Sequence, residues 1–87
     1  MKIKYNFVIN EVAGNFVAVA VGDDLVKFNG FIKMNDIGVY IFKMLQNDVT
    51  EDEIVAAMLK EYEATEEEIR ENVSEFITTL KNSDVLV

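Results

Sequence analysis

The sequence predicts an α+β fold in which a three-stranded antiparallel sheet is followed by three helices. In the first third of the chain, hydrophobic and polar residues alternate with a period of two, as in a strand with one buried face. After Asn35, hydrophobic residues recur at spacings of three and four, which is typical of amphipathic helices. A chain of 87 residues can bury one core but not two, so we expect a single domain over residues 1–87.

The first two strands are expected to form a hairpin. Alternation from Ile3 to Ile9 predicts the first strand, and Gly14 followed by Asn15 predicts a tight turn, because glycine readily adopts the positive φ that such turns need. The second strand, residues 16–21, is hydrophobic on both faces. We therefore expect it at the centre of the sheet, with other structure covering each side.

The third strand is less clearly marked. Asn29 followed by Gly30 could form a hairpin turn between two short strands. We favour a loop through Asn29 and then one strand from Gly30 or Phe31 to Met34. In a sheet of order 1-2-3, this strand lies at an edge.

Each of the three helices begins at a residue that suits a helix start. Asn35 can cap the first helix, Thr50 and Glu53 form a capping box for the second, and Thr65 and Glu68 repeat that pattern for the third. Acidic residues in first turns complement the helix dipole, so we interpret these clusters as caps rather than as metal or catalytic sites. The hydrophobic stripe of the last helix consists of Ile69, Val73, Phe76, Ile77 and Leu80.

Composition excludes most catalytic chemistry. The chain has no His, Cys, Trp or Pro, so it offers no imidazole base, no thiolate nucleophile and no zinc site of the ordinary ligand types. We expect no cofactor. The sequence also shows no secretion signal and no apolar run long enough for a membrane span, so we expect a cytoplasmic protein without a membrane partner.

Three strands followed by three helices in so short a chain outline a winged-helix-like domain. Such domains often bind DNA through a helix. The charge distribution argues against that role, because residues 45–87 hold twelve acidic and three basic side chains and the chain as a whole carries a net charge of −8. We therefore expect no nucleic-acid partner.

Short segments spread over nearly the whole chain carry a further signal through their order and spacing. They are residues 7–14, 28–35, Gly38, 41–42, Leu45, 50–54, 61–62, Val73, Phe76, Ile77, Leu80 and 85–86. Together they resemble the PqqD-like family, whose members are also called recognition elements of ribosomally made, modified peptides (RiPPs). Three positions depart from the family pattern: Asn10 replaces a common Arg, Phe42 a common Trp, and Asp84 a common Gly at the end of the last helix.

The resemblance implies a non-catalytic adaptor with a winged-helix-type fold. Family members capture the leader of a precursor peptide as an added strand beside the third strand and against the last helix. They present it to a modifying enzyme, commonly a radical S-adenosylmethionine (radical SAM/SPASM-type) protein with iron–sulfur clusters. The alternative is a winged-helix-like interaction or regulatory module that does not bind DNA.

We accordingly hypothesise a peptide site between the third strand and one flank of the last helix. On the strand it comprises Gly30, Phe31, Ile32, Lys33 and Met34. On the helix, angular placement puts Ile77 at the margin of the stripe and Arg70, Ser74 and Lys81 beyond it. Ile77 would supply apolar contact, and the two cations would select an acidic leader.

Two structural explanations compete with this hypothesis. Lys33 could simply protect an ordinary edge strand from aggregation. Arg70 and Lys81 could pair with nearby glutamates, for instance Glu66 with Arg70, for little net free energy.

The first predicted helix carries hydrophobic residues on a second side. Val39 and Phe42 lie opposite the face of Ile37, Ile41 and Met44. Burial inside the domain is the favoured explanation. Otherwise Val39 and Phe42 would form an interface with the modifying enzyme or with a second copy of the chain, since an exposed edge strand also permits a homodimer.

Overall fold

A computed structural model describes all 87 residues, from Met1 to Val87. Its elements are β1 (Phe7–Val12), β2 (Asn15–Ala20), α1 (Asp24–Lys27), β3 (Phe31–Met34), α2 (Asp36–Met44), α3 (Glu51–Glu61) and α4 (Glu66–Asn82). The three strands form one antiparallel sheet of order β1-β2-β3, which confirms the predicted fold class. The one-turn helix α1 was not expected from the sequence and lies in the predicted loop before β3.

The hairpin between β1 and β2 turns at Ala13 and Gly14 rather than at Gly14 and Asn15. The φ values of Ala13 and Gly14 are 51° and 81°, and Val12 pairs with Asn15. A two-residue turn of this kind needs positive φ at both central positions. The predicted turn is therefore one residue too late.

The first strand begins at Phe7, not at Ile3 as the alternation predicts. Ile3 forms an isolated bridge with Leu86 near the other end of the chain. The amide of Lys4 donates to the carbonyl of Val85 at 2.9 Å. Alternation thus identified the residues that pack on the core, of which Ile3 is buried and Tyr5, Phe7 and Ile9 are partly buried. It contains no information about which segment pairs with which.

The helices cover only one face of the sheet. On that face Ala18, Ala20, Ile32 and Met34 are buried. The other face, here called the open face, is not covered, and the prediction that structure covers both sides of β2 is wrong. Its valines are partly shielded by neighbours across the strands, as β-branched residues often are on a pleated surface. The open face consists of Asn6, Val8, Asn10, Val12, Asn15, Val17, Val19, Val21, Phe31 and Lys33.

The predicted helix starts are correct. The side chain of Asn35 accepts from the amide of Gly38 at 2.9 Å. Thr50 and Glu53 form both bonds of a capping box, at 3.1 and 2.9 Å. At the start of α4, the Thr65 hydroxyl accepts from the amide of Glu68 at 3.2 Å and donates to its carboxylate at 3.1 Å. This second box is therefore incomplete, because the carboxylate binds the hydroxyl instead of the Thr65 amide.

The core lies between the inner face of the sheet and helices α2, α3 and α4. It is hydrophobic throughout, with no buried charged side chain and no buried polar side-chain atom that lacks a partner. After α4 the chain turns at Asp84, whose φ of 56° is left-handed. This confirms that an aspartate can adopt the conformation for which family members often use glycine.

Candidate functional site

A groove of about 370 Å³ lies where the end of β3, the start of α2 and the middle of α4 meet. Its hydrophobic residues come from all three elements, and its polar residues stand mainly along α4 and at the end of β3. The lining residues are Lys33, Met34, Asn35, Ile37, Gly38, Ile41, Asn72, Glu75, Phe76 and Thr79.

The shape of this groove depends on Gly38 and Phe76. A Cβ atom placed on Gly38 would lie 3.1 Å from the Cβ of Met34 and 3.2 Å from Cε1 of Phe76, closer than nine in ten ordinary Cβ contacts. The missing side chain therefore lets α2 pack tightly against β3 and leaves room for the Phe76 ring. That ring is half-buried and faces the groove.

The chemistry of the groove suits an extended peptide. Met34, Ile37, Ile41 and Phe76 offer an apolar surface. The polar residues around them include charges of both signs, Lys33 on β3 and Glu75 on α4, so the groove as a whole is neither an anion site nor a cation site.

The edge of β3 beside the groove has unpaired backbone groups. The amide of Val21 donates to the carbonyl of Asn6 at 3.0 Å, and in the register of β1 and β2 these two residues lie directly opposite each other. Backbone groups point to alternate sides along a strand, so the odd-numbered residues of β2 bond to β1 and the even-numbered ones bond to β3.

The partners of Ala18 and Phe16 on β3 are Ile32 and Met34, which therefore direct their amides and carbonyls into the sheet. The amides and carbonyls of Phe31 and Lys33 point the other way, toward the free edge. The backbone groups of these two residues form no hydrogen bond with the backbone of a loop or a helix end. An incoming strand would thus find two complete donor and acceptor pairs at this edge.

The five predicted site residues on the third strand fall into two groups. Gly30, Phe31 and Lys33 are exposed, with Phe31 66% exposed. Ile32 and Met34 are each 4% exposed and point toward the helices, although Met34 still lines the groove. Whether any of the five contacts a peptide remains a prediction.

The structure places Arg70, Ser74, Ile77 and Lys81 outside the groove. Ile77 is 4% exposed and belongs to the core. Arg70 lies 2.8 Å from Asp52 on α3 and 3.6 Å from Glu66, and the hydrogen bond that its guanidinium donates to the Asp52 carboxylate raises the pKa of Arg70 above its ordinary value. The predicted placement of this flank beside β3 is therefore wrong, and for Arg70 the pairing with Glu66 is confirmed.

The physical reason is the rotation of α4 about its own axis. The residues that α4 buries are Ile69, Val73, Ile77 and Leu80. Ile77 therefore belongs to the buried stripe rather than to its margin. Phe76 turns instead toward β3, and it brings the acidic side of the helix, with Asn72, Glu75 and Thr79, to the groove.

Val39 and Phe42 do not form an exposed patch. Val39 is 9% exposed and Phe42 is 2% exposed. The ring of Phe42 packs edge-on against that of Phe7, with centroids 5.4 Å apart. Burial within the domain is confirmed, and the predicted partner interface at these two residues is wrong.

Sequence patterns did not identify the helical residues of the groove. Asn72, Glu75 and Thr79 are not among the predicted site residues, and the sequence places Phe76 in the hydrophobic stripe of the helix. One signal was available, since glycine is a weak helix former, and Gly38 inside a predicted helix indicates close packing at that position.

No three acidic side chains converge in a way that could hold a metal ion. None of the helices combines the length and the hydrophobicity that a membrane span requires.

Comparison with known proteins identifies the family. The model of the family described as coenzyme PQQ synthesis protein D (PqqD) matches residues 8–86. Among solved structures, the chain is similar to TbiB1 in complex with the TbiA(beta) leader peptide, with a TM-score of 0.75 over 99% of this chain and 94% of that chain. The sequences are 21% identical, so this likeness concerns the fold. The search of curated proteins found no match. Since the family model covers nearly the whole chain, this protein belongs to the PqqD family.

Proposed function

We propose that this protein is a non-catalytic adaptor that binds the leader of a ribosomally made precursor peptide and presents it to a modifying enzyme. The observation that carries the proposal is the free edge of β3 directly beside a groove lined by Phe76. The leader would add to the sheet as a fourth strand along residues 30–34. The whole chain would act as one peptide-recognition domain.

Strand addition supplies affinity and the groove supplies selectivity. The outward backbone groups of Phe31 and Lys33 can pair with any extended segment, whatever its sequence. A side chain of the added strand that points toward the helices near Met34 would enter the groove and contact Phe76. A hydrophobic side chain suits that position, because it would bury apolar surface that is otherwise partly exposed.

Family membership and the structural neighbour support the proposal. The chain belongs to the PqqD family, and TbiB1, which shares its fold, was solved with a leader peptide bound. A radical SAM/SPASM-type protein is the modifying enzyme that we propose as partner. This chain has no Cys or His, so iron–sulfur clusters and their reactivity would come from that partner.

The proposal can be tested by titrating the isotope-labelled protein with the leader of a precursor peptide encoded beside its gene. We expect the backbone amide signals of residues 30–34 and 72–79 to shift, because these segments border the groove. Shifts confined to the other side of α4, around Arg70 and Lys81, would contradict the proposed site. An absence of binding, together with binding to a regulatory protein, would favour the alternative of an interaction module.

A further inference from the structure

On the open face of the sheet, the proposed peptide site has a second surface that can distinguish one leader sequence from another. Resting on the proposed strand addition, we infer that Phe31 and Lys33 select a leader in which an acidic residue is followed, two positions later, by a hydrophobic residue. The side chains of both residues stand on the open face of the sheet, although Lys33 also borders the groove at the end of β3.

The register of the sheet determines which leader residues face Phe31 and Lys33. Both residues direct their backbone groups to the free edge, so an antiparallel strand would place one residue directly opposite each of them. Side chains of directly opposed residues lie on the same face of a sheet. The leader residues opposite Phe31 and Lys33 would therefore stand on the open face, while the residue between them would point toward the helices.

Lys33 is the residue that selects the acidic side chain of the leader. It is exposed, and it forms none of the five ion pairs of the chain. The open face contains no carboxylate, although the chain as a whole has a net charge of −8. Glu75 lines the groove together with Lys33 but forms no ion pair with it. An acidic side chain opposite Lys33 would thus meet an unpaired cation, with no carboxylate on the open face to repel it.

Phe31 is the residue that selects the hydrophobic side chain of the leader. It continues a row across the strands, because Val8 pairs with Val19 and Val19 pairs with Phe31. Val8 and Phe31 are 44% and 66% exposed. A hydrophobic residue opposite Phe31 would extend this row to a fourth strand and cover one side of the exposed ring.

The order of the two leader residues follows from strand direction. Both pairings in the present sheet are antiparallel, and an added strand with the same pairing runs opposite to β3. It therefore passes Lys33 before Phe31. The acidic residue should be the more N-terminal of the two.

A displayed library of random ten-residue peptides, panned on the full-length protein, tests this inference. We expect enriched peptides to contain an acidic residue two positions before a hydrophobic one. The Lys33→Glu variant should enrich a basic residue in place of the acidic one. It should bind a wild-type-selected peptide about two- to fivefold more weakly, the range typical of single cross-strand pairs. The control is Lys60→Glu, which makes the same charge change at an exposed position on α3 and should leave the selection unchanged.

The outcomes separate this inference from the function on which it rests. If no peptide is enriched by any variant, strand addition itself fails and this inference fails with it. If peptides are enriched and the amides of Phe31 and Lys33 become protected from hydrogen exchange, but no acidic preference is found, only the inference is overturned. The same holds if Lys60→Glu alters the selection as much as Lys33→Glu, or if the two residues occur in the reverse order.

Discussion

Gly38 and Phe76 decide how the groove is shaped, although neither residue carries a charge or a reactive group. The Phe76 ring lines the groove where a leader side chain would enter. Gly38 leaves the space that the ring and Met34 occupy. The two residues therefore allow binding and stability to be tested separately.

Replacing Phe76 by alanine should weaken leader binding strongly. The variant removes the largest apolar surface of the groove, so we expect the affinity to fall by about tenfold, as for buried aromatic anchors at other interfaces. The ring is only half-buried, so unfolding free energy should fall by about 1–2 kcal/mol. Calorimetric titration and chemical denaturation measure the two effects.

The matched control for Phe76→Ala is Thr78→Ala on the same helix. Thr78 is exposed, and its hydroxyl bonds only to the carbonyl of Ser74, at 2.9 Å. Neither affinity nor stability should change appreciably. Equal losses of affinity in the two variants would show that Phe76 does not contact the leader.

Replacing Gly38 by alanine should reduce binding while changing stability little. The new Cβ would lie 3.1 Å from the Cβ of Met34 and 3.2 Å from the Phe76 ring, so the ring, which lines the groove, must shift by a few tenths of an ångström. Alanine is a better helix former than glycine by up to about 1 kcal/mol, which offsets the strain. We expect unfolding free energy to stay within about 1 kcal/mol of wild type and leader affinity to fall several-fold. Unchanged affinity in the titration would contradict this account of the groove.

At the scale of elements, the two edges of strand β3 differ in hydrogen bonding, because one edge pairs with β2 and the other is free. Its Ile32 and Met34 amides bond to β2, and its Phe31 and Lys33 amides face outward. Proline lacks an amide hydrogen, and in a sheet it is tolerated only where the missing donor would have faced outward at an edge. This asymmetry can be tested with one substitution on each edge.

The Lys33→Pro variant should fold and lose leader binding by about tenfold or more, because it deletes an outward donor and keeps the ladder with β2. Ile32→Pro should instead unfold the sheet, since it deletes an inward donor. Lys33→Ala is the control for loss of charge alone and should retain most of the affinity. Circular dichroism reports the fold and titration the binding. Full affinity in Lys33→Pro would argue against strand addition.

Helix α3 stands apart from the groove, so its cap should matter for stability only. Thr50 accepts from the amide of Glu53, and Glu53 accepts from the amide of Thr50. We expect Thr50→Ala to lower unfolding free energy by about 1 kcal/mol and to leave leader affinity unchanged. Chemical denaturation and titration of the same sample check both statements, and a large loss of affinity would mean that α3 supports the site indirectly.

At the scale of the whole molecule, the two ends of the chain lie together. Ile3 bridges to Leu86, and the amide of Val87 donates to the carbonyl of Lys2 at 2.8 Å. The Lys4 ammonium lies 3.1 Å from Asp84. That hydrogen bond raises the pKa of Lys4 above its ordinary value of 10.5.

The raised pKa of Lys4 predicts how stability depends on pH. A group with a higher pKa in the folded state contributes fully below its unfolded pKa and loses that contribution as pH rises through the folded value. Unfolding free energy should therefore decrease above about pH 10.5. The decrease should be smaller in Lys4→Met than in the control Lys2→Met, whose side chain forms no ion pair. Denaturation midpoints across this pH range provide the measurement, and equal slopes in the two variants would contradict the assignment.

Local residues determined the elements and their order. Alternation marked the strands, Asn35, Thr50 and Thr65 marked the helix starts, and the spacing of short segments indicated the PqqD family. These features could be predicted because each depends on residues close together in the chain. The lack of His and Cys likewise limited the chemistry without any knowledge of the fold.

The tertiary structure alone decided which surfaces meet. The rotation of α4, which buries Ile77 and turns Phe76 to the groove, depends on the space beside Gly38, on a different helix. Likewise, the outward direction of the Phe31 and Lys33 amides follows from a hydrogen bond between Asn6 and Val21, two strands away from the free edge. The sequence therefore predicted which strand and which helix would border the proposed peptide site. Only packing and register, which act between distant segments, decided which of their residues would line it.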